Sequence, residues 1–133
     1  MSPESLIAVV VVPADPSYLT ICRNALVGAA GGLPIDDDEL DDLKLLLSET
    51  CSNAIVHGYA EGPPGEIEIE FRAMPGEFEV RVSDRGRGFS GGTGPDHTGF
   101  GLSLVAQIAD RYLIDPARPG GGAAVTFARA ISH

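Results

Sequence analysis

Apolar residues recur at helical spacing in some stretches of this chain and alternate with polar residues in others. Residues 6–12 form an apolar, β-branched run that stops at Pro13, and this predicts a buried strand. Pro16 opens a helical pattern that reaches about Ala30, where two glycines end it. We therefore expect a strand and then a helix at the start of the chain.

The longest helical repeat predicts a second helix that ends at Gly58. Four acidic residues at positions 36–39 begin it, where the helix dipole favours negative charge. Its apolar positions, three or four residues apart, are Leu40, Leu43, Leu47, Cys51 and Ala54.

A hairpin follows. Residues 66–72 alternate strictly, and after a Pro75-Gly76 turn the alternation continues through Phe78, Val80 and Val82.

The last third of the chain predicts a glycine-rich loop, a helix and a strand, over residues 85–98, 101–113 and 123–130. Helices and strands do not alternate regularly, so a doubly wound parallel sheet is disfavoured. We expect one α+β domain over residues 1–133, a two-layer α/β sandwich with a mostly antiparallel sheet and helices on one face.

Charge and cysteine content narrow the function classes. The formal net charge of −10 disfavours direct binding to nucleic acid or to an anionic membrane. Cys22 and Cys51 fall in apolar helical patterns, so we expect buried free thiols. Without a basic N-terminal segment or an apolar run longer than residues 6–12, the chain is expected to be soluble and cytoplasmic.

Glu49 and Asn53 lie four residues apart on the second helix, so their side chains point the same way. A carboxylate beside a carboxamide can hold Mg²⁺ and its waters, and the carboxylate can accept a proton from an attacking hydroxyl. An exposed polar stripe is the alternative. His57 is interpreted as a packing or helix-end residue, since no second His or Cys stands at metal-ligand spacing.

Asp84 ends a predicted strand and is followed by Gly86 and Gly88. A carboxylate there can accept a hydrogen bond from the exocyclic amine of adenine, and glycines let the backbone approach a flat base. An Asp-initiated turn fits equally well. The segment also matches G-x-G-x-x-G, but no helix opens at Gly91, so we reject a dinucleotide-binding unit. The sequence contains no P-loop motif.

Gly99 and Gly101 lead into a helix that begins near Leu102. Free backbone amides at a helix N-terminus favour phosphate. Residues 89–98 would then form a lid over the nucleotide. Thr126 lies on the last strand, where its hydroxyl could support Asp84 and the adenine edge.

In order and spacing these four motifs resemble the split ATP site of the GHKL superfamily and its Bergerat fold, over roughly residues 5–130. The short length points to the serine kinase/anti-sigma factor branch of bacterial partner-switching systems. By this resemblance Glu49 is the catalytic base, and Asn53 holds Mg²⁺ with Glu49 acting through water. The residues expected to contact ATP or ADP are Asn53, Asp84, Gly86, Gly88, Gly99, Gly101, Leu102 and Thr126.

The resemblance also implies partners. Members of this branch bind a sigma factor and phosphorylate a Ser or Thr on a STAS-domain anti-anti-sigma protein. They are commonly homodimers, and Arg23 on the first helix is a candidate partner contact. Two alternatives stay open: a non-catalytic, nucleotide-dependent binding switch, and a histidine-kinase catalytic domain. The second is disfavoured because no dimerisation helix with a phosphoacceptor histidine precedes the first strand.

Two departures from the family pattern matter. No Lys or Arg stands between Ser90 and Thr98, so a cation at the γ-phosphate must come from Arg85, Arg87 or elsewhere. Residues 123–125 are also less polar than the last glycine box often is, which weakens the assignment of Thr126.

Overall fold

The computed structural model describes residues 5–58, 65–84, 102–115 and 122–132. A short 3-10 turn at Pro16–Tyr18 precedes the first helix. The helices are α1 (Leu19–Ala30), α2 (Asp37–Gly58) and α3 (Leu102–Ile108), and the strands are β1 (Ser5–Pro13), β2 (Glu66–Met74), β3 (Glu77–Asp84), β4 (Arg111–Asp115) and β5 (Ala124–Ala130).

The strands form one sheet in the order β1-β2-β3-β5-β4, and each neighbouring pair is antiparallel. Alternate residues of the central strands are fully buried, among them Phe71 and Val80, which are cross-strand partners, and Phe127, which pairs with Val80. This buried face packs against the helices, and α2 contacts β2, β3 and β5. The predicted α+β sandwich is therefore confirmed.

The N-terminal strand was predicted to be buried, and that prediction is wrong for one of its faces. β1 lies at the sheet edge, with β2 as its neighbour, and the side chains of Val9 and Val11 are 46% and 51% exposed. Val12, which alternates with them, is buried against the core. A continuous apolar run does not distinguish a strand covered on both faces from an edge strand.

The helix predicted over residues 101–113 ends at Ile108, and β4 follows. Asp110 separates α3 from β4, because it is bound to β5 instead of continuing the helix. Its backbone N–H donates to the Ala128 carbonyl, and its carboxylate accepts from the Ala130 N–H. Tyr112 then pairs with Phe127 in the sheet. The apolar spacing that predicted a longer helix also fits a strand, and sheet pairing decides between them.

A capping box fixes the start of α2. The backbone N–H of Glu39 donates to Asp36 Oδ1 at 2.8 Å, and the Asp36 N–H donates to Glu39 Oε1 at 2.9 Å. The Ser132 N–H also donates to the Glu39 carboxylate, at 3.1 Å. These bonds satisfy amides that a helix start leaves without partners.

Below the cap, α2 is fixed to the sheet. Leu43, Leu46 and Leu47 are fully buried, and Arg129 of β5 forms an ion pair with Asp42 at 3.1 Å. The N-terminal half of α2 is therefore a rigid support for the half that follows. No helix in the described part of the chain is long and apolar enough to cross a membrane.

Candidate functional site

The C-terminal half of α2 carries the polar residues that the sequence analysis selected. Glu49 is partly buried, while Thr50 and Asn53 are 1% and 9% exposed. Thr50 is held in place because its hydroxyl donates to the Leu46 carbonyl at 2.7 Å. The alternative interpretation, an exposed polar stripe, is therefore wrong for Asn53, which lies inside the fold.

Asp84 ends β3 on the side of the sheet that faces α2. Its cross-strand partner is Ile67, a fully buried core residue, and Asp84 itself is 1% exposed. Its backbone N–H donates to the Ala123 carbonyl at 2.9 Å, so the start of β5 lies directly beside it. A recess opens here between α2 and the sheet, lined by Thr50, Ala54, Val82, Asp84, Ala123, Ala124 and Val125.

Asn53 has an unsatisfied buried polar atom. Its Nδ2 has no hydrogen-bond partner within the described structure. Leaving such a group unpaired in the interior costs on the order of 1–3 kcal/mol. A 180° rotation of the carboxamide exchanges donor and acceptor, so the same position can present either nitrogen or oxygen. The side chain is therefore suited to a ligand that supplies the missing interaction.

The structure contradicts the role predicted for Thr126. Its cross-strand partners are Arg81 and Leu113, whereas its neighbours Val125 and Phe127 pair with the buried Val82 and Val80. Because side chains alternate along a strand, Thr126 lies on the face opposite α2 and Asp84. It therefore cannot support Asp84.

Ala123 occupies the place that Thr126 was expected to fill. It is 2% exposed, and the β3–β5 register that pairs Ser83 with Ala124 brings Ala123 opposite Asp84. This position carries a methyl group where a hydroxyl was expected. The low polarity of residues 123–125 had indicated that the assignment of Thr126 was weak, but only the strand register shows which residue lies beside the Asp84 carboxylate.

Several predicted residues lie outside the described residues: Gly86, Gly88, Gly99 and Gly101, together with Arg85, Arg87 and the proposed lid at 89–98. Their roles stay predictions. Leu102 is the first residue of α3, and its contact with ATP stays a prediction. His57 lies in the last turn of α2.

Thr50 and Ala54 line the recess, and the sequence analysis missed both. Each lies on α2 beside a residue that was selected, Glu49 or Asn53. The signal was the helical repeat itself, since residues three or four apart share a face. Ala54 is a small residue on the face of α2 that lines the recess.

Arg23 on α1 lies against α2. Its Nη1 donates to Ser48 Oγ and its Nη2 to Thr20 Oγ1, both at 3.4 Å. The guanidinium is thus near the turn of α2 that precedes Glu49. Because both contacts are long, the Arg23 guanidinium can still donate hydrogen bonds to a partner protein.

Comparison with known proteins identifies the family. Residues 12–129 match the family model described as histidine kinase-like ATPase domain. "Serine-protein kinase RsbW" of Bacillus subtilis is 37% identical over 118 residues, covering 77% of this chain and 74% of that protein. The protein of the same name from Oceanobacillus iheyensis is 33% identical, covering 78% of this chain and 75% of that protein.

A solved structure agrees on the fold. A crystal structure of the RsbU and RsbW domains of a Mycobacterium tuberculosis protein superposes with a TM-score of 0.69 at 20% identity. The match covers 95% of this chain and 33% of that longer chain. The two-layer sandwich, the α2–β3 recess and these relatives together confirm the resemblance found in the sequence: the chain belongs to the histidine kinase-like ATPase domain family, on the branch of the RsbW serine-protein kinases.

Proposed function

We propose that this chain is an ATP-dependent serine/threonine-protein kinase that also acts as an anti-sigma factor. The observation that carries the proposal is one recess in which the buried Asp84 carboxylate lies opposite α2, the helix that bears Glu49 and Asn53. The family assignment supports nucleotide use, and the relatives' name supports transfer to a protein serine.

The adenine end of ATP would lie in the recess against Asp84. A buried carboxylate is a strong acceptor for an amine, and desolvation makes such a charge-assisted bond more selective than it is in water. The alanines at 54, 123 and 124 would present small apolar side chains to a flat ring. Backbone amides at Gly86, Gly88, Gly99 and Gly101, leading into α3 at Leu102, would complete the site around the base and phosphates.

Mg²⁺ fits the residues on α2. Within the described ranges, no three His, Cys, Asp or Glu side chains gather as a metal cluster. Mg²⁺ commonly takes one or two protein oxygens and completes its shell with waters and substrate phosphates. With its carboxamide rotated so that the oxygen takes the place of the unpaired Nδ2, Asn53 would supply one such oxygen, and Glu49 would hold a bound water. The ion would neutralise charge on the phosphates.

Glu49 would act as the base. Placed one helical turn before Asn53 and partly open to solvent, its carboxylate can orient the acceptor hydroxyl and take its proton. The hydroxyl oxygen then bonds to the γ-phosphorus as the bond to the ADP oxygen breaks. Positioning and charge stabilisation supply most of the rate enhancement in this class of reaction.

The proposed partners are a sigma factor and a STAS-domain anti-anti-sigma protein, and the proposed assembly is a homodimer. The charge of −10 suits a basic protein partner. Arg23, on the outer helix α1, is the candidate contact. We place this activity in the cytoplasm, where ATP and the transcription machinery are found.

Phosphotransfer to a STAS-domain protein tests the proposal. The full chain is incubated with Mg-ATP and the candidate partner, alongside Glu49→Gln and the control Asp38→Asn at the exposed start of α2. We expect phosphate on a partner Ser or Thr with the wild type and the control. We expect it to be lost in Glu49→Gln, which should still bind ADP.

Other outcomes decide among the alternatives. Nucleotide binding by all three proteins without phosphotransfer would favour a non-catalytic binding switch. Phosphate on a partner histidine would favour a histidine-kinase domain. Failure of the wild type to bind ATP or ADP would refute the nucleotide site itself.

A further inference from the structure

One lateral edge of the sandwich is formed by β1 and by the side of α1 that faces away from α2. Among the described strands β1 has one neighbour, β2, so its other side is an open strand edge. α1 contacts β1 at this same edge of the sheet. We call the surface that the two elements form together the β1–α1 edge. An open strand edge can pair with a further strand, because backbone groups along it have no partner within the sheet.

The strand of the β1–α1 edge is apolar and exposed. Its pairing with β2 is regular from Ala8 to Pro13, so this part has the extended geometry that another strand needs. An exposed edge strand is commonly protected from pairing by charged side chains, and residues 5–13 contain none. Four of its apolar side chains are between 39% and 52% exposed: Leu6, Ile7, Val9 and Val11. Exposed apolar surface of this kind marks an interaction site.

The far side of α1 contains a glycine that its own chain does not require. Arg23 reaches Ser48 of α2, and at about 100° per residue Ile21 and Gly28 lie on the opposite side of the helix, two turns apart. Ile21 is 48% exposed, and a Cβ added at the exposed Gly28 would meet nothing within 4 Å. Glycine inside a helix is destabilising relative to alanine. Its presence is explained if a second backbone approaches α1 closely at this position.

We propose that the β1–α1 edge is the interface of a homodimer, in which β1 pairs antiparallel with β1 of a second copy and the two α1 helices approach each other at Gly28. The inference rests on the proposed homodimer and names its surface, but it requires neither nucleotide nor phosphotransfer. A two-fold axis brings the same surface of both copies together, so each interface residue occurs twice. The axis would pass near Val9, the middle residue of β1.

Charge favours a second copy as the occupant of this surface. Asp15 and Arg23 are the charged residues among positions 5–30, and they cancel, so the net charge of −10 lies elsewhere in the chain. Two copies repel each other where acidic surfaces meet, but this edge brings together surfaces without net charge. A basic partner would need acidic groups for recognition, and β1 has none. The uncharged surface that complements the β1–α1 edge is the same surface of another copy.

Analytical ultracentrifugation of the full chain without nucleotide tests the proposal. We expect a monomer–dimer equilibrium in the wild type with a Kd below ~100 µM. Val9→Glu places two carboxylates against each other near the axis and should weaken the dimer at least ~10-fold, since a two-fold interface contains each change twice. Gly28→Leu should also weaken it. The matched control Leu113→Glu adds the same charge at an exposed position of β4, the opposite edge of the sheet, and should dimerise like the wild type.

Hydrogen exchange of the wild type tests the surface even if a variant folds poorly. Amide exchange in residues 5–13 should slow as the dimer forms with rising protein concentration, whereas residues 111–115 of β4 should not change. A wild type that stays monomeric at ~100 µM would overturn the proposal. A dimer that Val9→Glu leaves intact, or one that protects β4 instead, would also overturn it.

Protection of β1 that appears only after a STAS-domain protein is added would assign the edge to that partner and overturn the self-association. Each variant is also titrated with ADP, because the β1–α1 edge does not include the recess beside Asp84. We expect Val9→Glu to bind ADP like the wild type while it fails to dimerise. Loss of the dimer and loss of the proposed nucleotide site are therefore separate results.

Discussion

A threonine at position 123 should bind nucleotide more tightly than a valine at the same position. Residue 123 lies beside the Asp84 carboxylate on the recess side of the sheet, whereas Thr126 lies on the opposite face. A hydroxyl at 123 could donate to Asp84 or to the base edge, and the present methyl group cannot. This is the clearest place where one hydroxyl group should improve the proposed site.

The expected gain is that of one buried hydrogen bond. Such a bond contributes about 0.5–1.5 kcal/mol, or about 2- to 10-fold in Kd. Ala123 is 2% exposed, so a larger side chain also costs packing, typically about 1–3 kcal/mol of stability. Ala123→Val has nearly the same shape as threonine but no hydroxyl. The difference between the two variants therefore isolates the hydrogen bond from the packing cost.

Calorimetric titration with ADP measures the effect, with folding checked by thermal denaturation. We expect the Thr variant to bind more tightly than the Val variant, and Thr126→Val to bind like the wild type. Equal affinity of the two position-123 variants would show that no ligand group lies within reach of that hydroxyl. A clear loss of affinity in Thr126→Val would refute the assignment of faces from the strand register.

Three further predictions follow from the same contacts. Asp84→Asn should weaken ATP binding by about 10- to 150-fold, because a charge-assisted hydrogen bond worth about 1.5–3 kcal/mol is lost. The variant should also bind ITP better relative to ATP, because a carboxamide can donate to the 6-oxo group of the base. Competition titrations with the two nucleotides measure both effects. Asp36→Ala removes the α2 cap and should lower the free energy of unfolding by about 0.5–2 kcal/mol in urea denaturation, with exposed Asp37→Ala as the control. Hydrogen bonds from the Asp36 and Ser132 N–H groups lower the pKa of Glu39, so its contribution is present above the ordinary carboxyl pKa and is lost as the pH falls through the lowered value. The Tm difference between wild type and Glu39→Gln should therefore shrink on acidification, and a constant difference would contradict it.

The local sequence pattern predicted correctly those helices and strands whose apolar residues follow one clear period. The hairpin of β2 and β3 and the course of α2 follow directly from alternation and helical spacing, and both are confirmed. β4 was missed because residues 111–115 are too few to outweigh the helical pattern before them. These residues form a strand because they pair with β5, and a local sequence pattern does not reveal that pairing.

The residues of the candidate site were likewise predicted only in part. Asn53 and Asp84 were selected from the sequence, and the structure places both on the inner side of the fold. Thr126 was chosen because it is the hydroxyl residue of the last strand, but its face depends on register. A shift of one or three residues reverses the side of a strand, so residue type cannot settle such a choice.

The fold separates the support of α2 from its proposed chemistry. The capping box, the buried leucines and the Arg129–Asp42 pair all lie in its first half. Asn53 and the wall of the recess lie in its second half. Because the unpaired Nδ2 of Asn53 costs stability where it stands, the first half must offset that cost. Weakening the cap should therefore lower the folded fraction while leaving the Kd of the folded molecules for nucleotide unchanged.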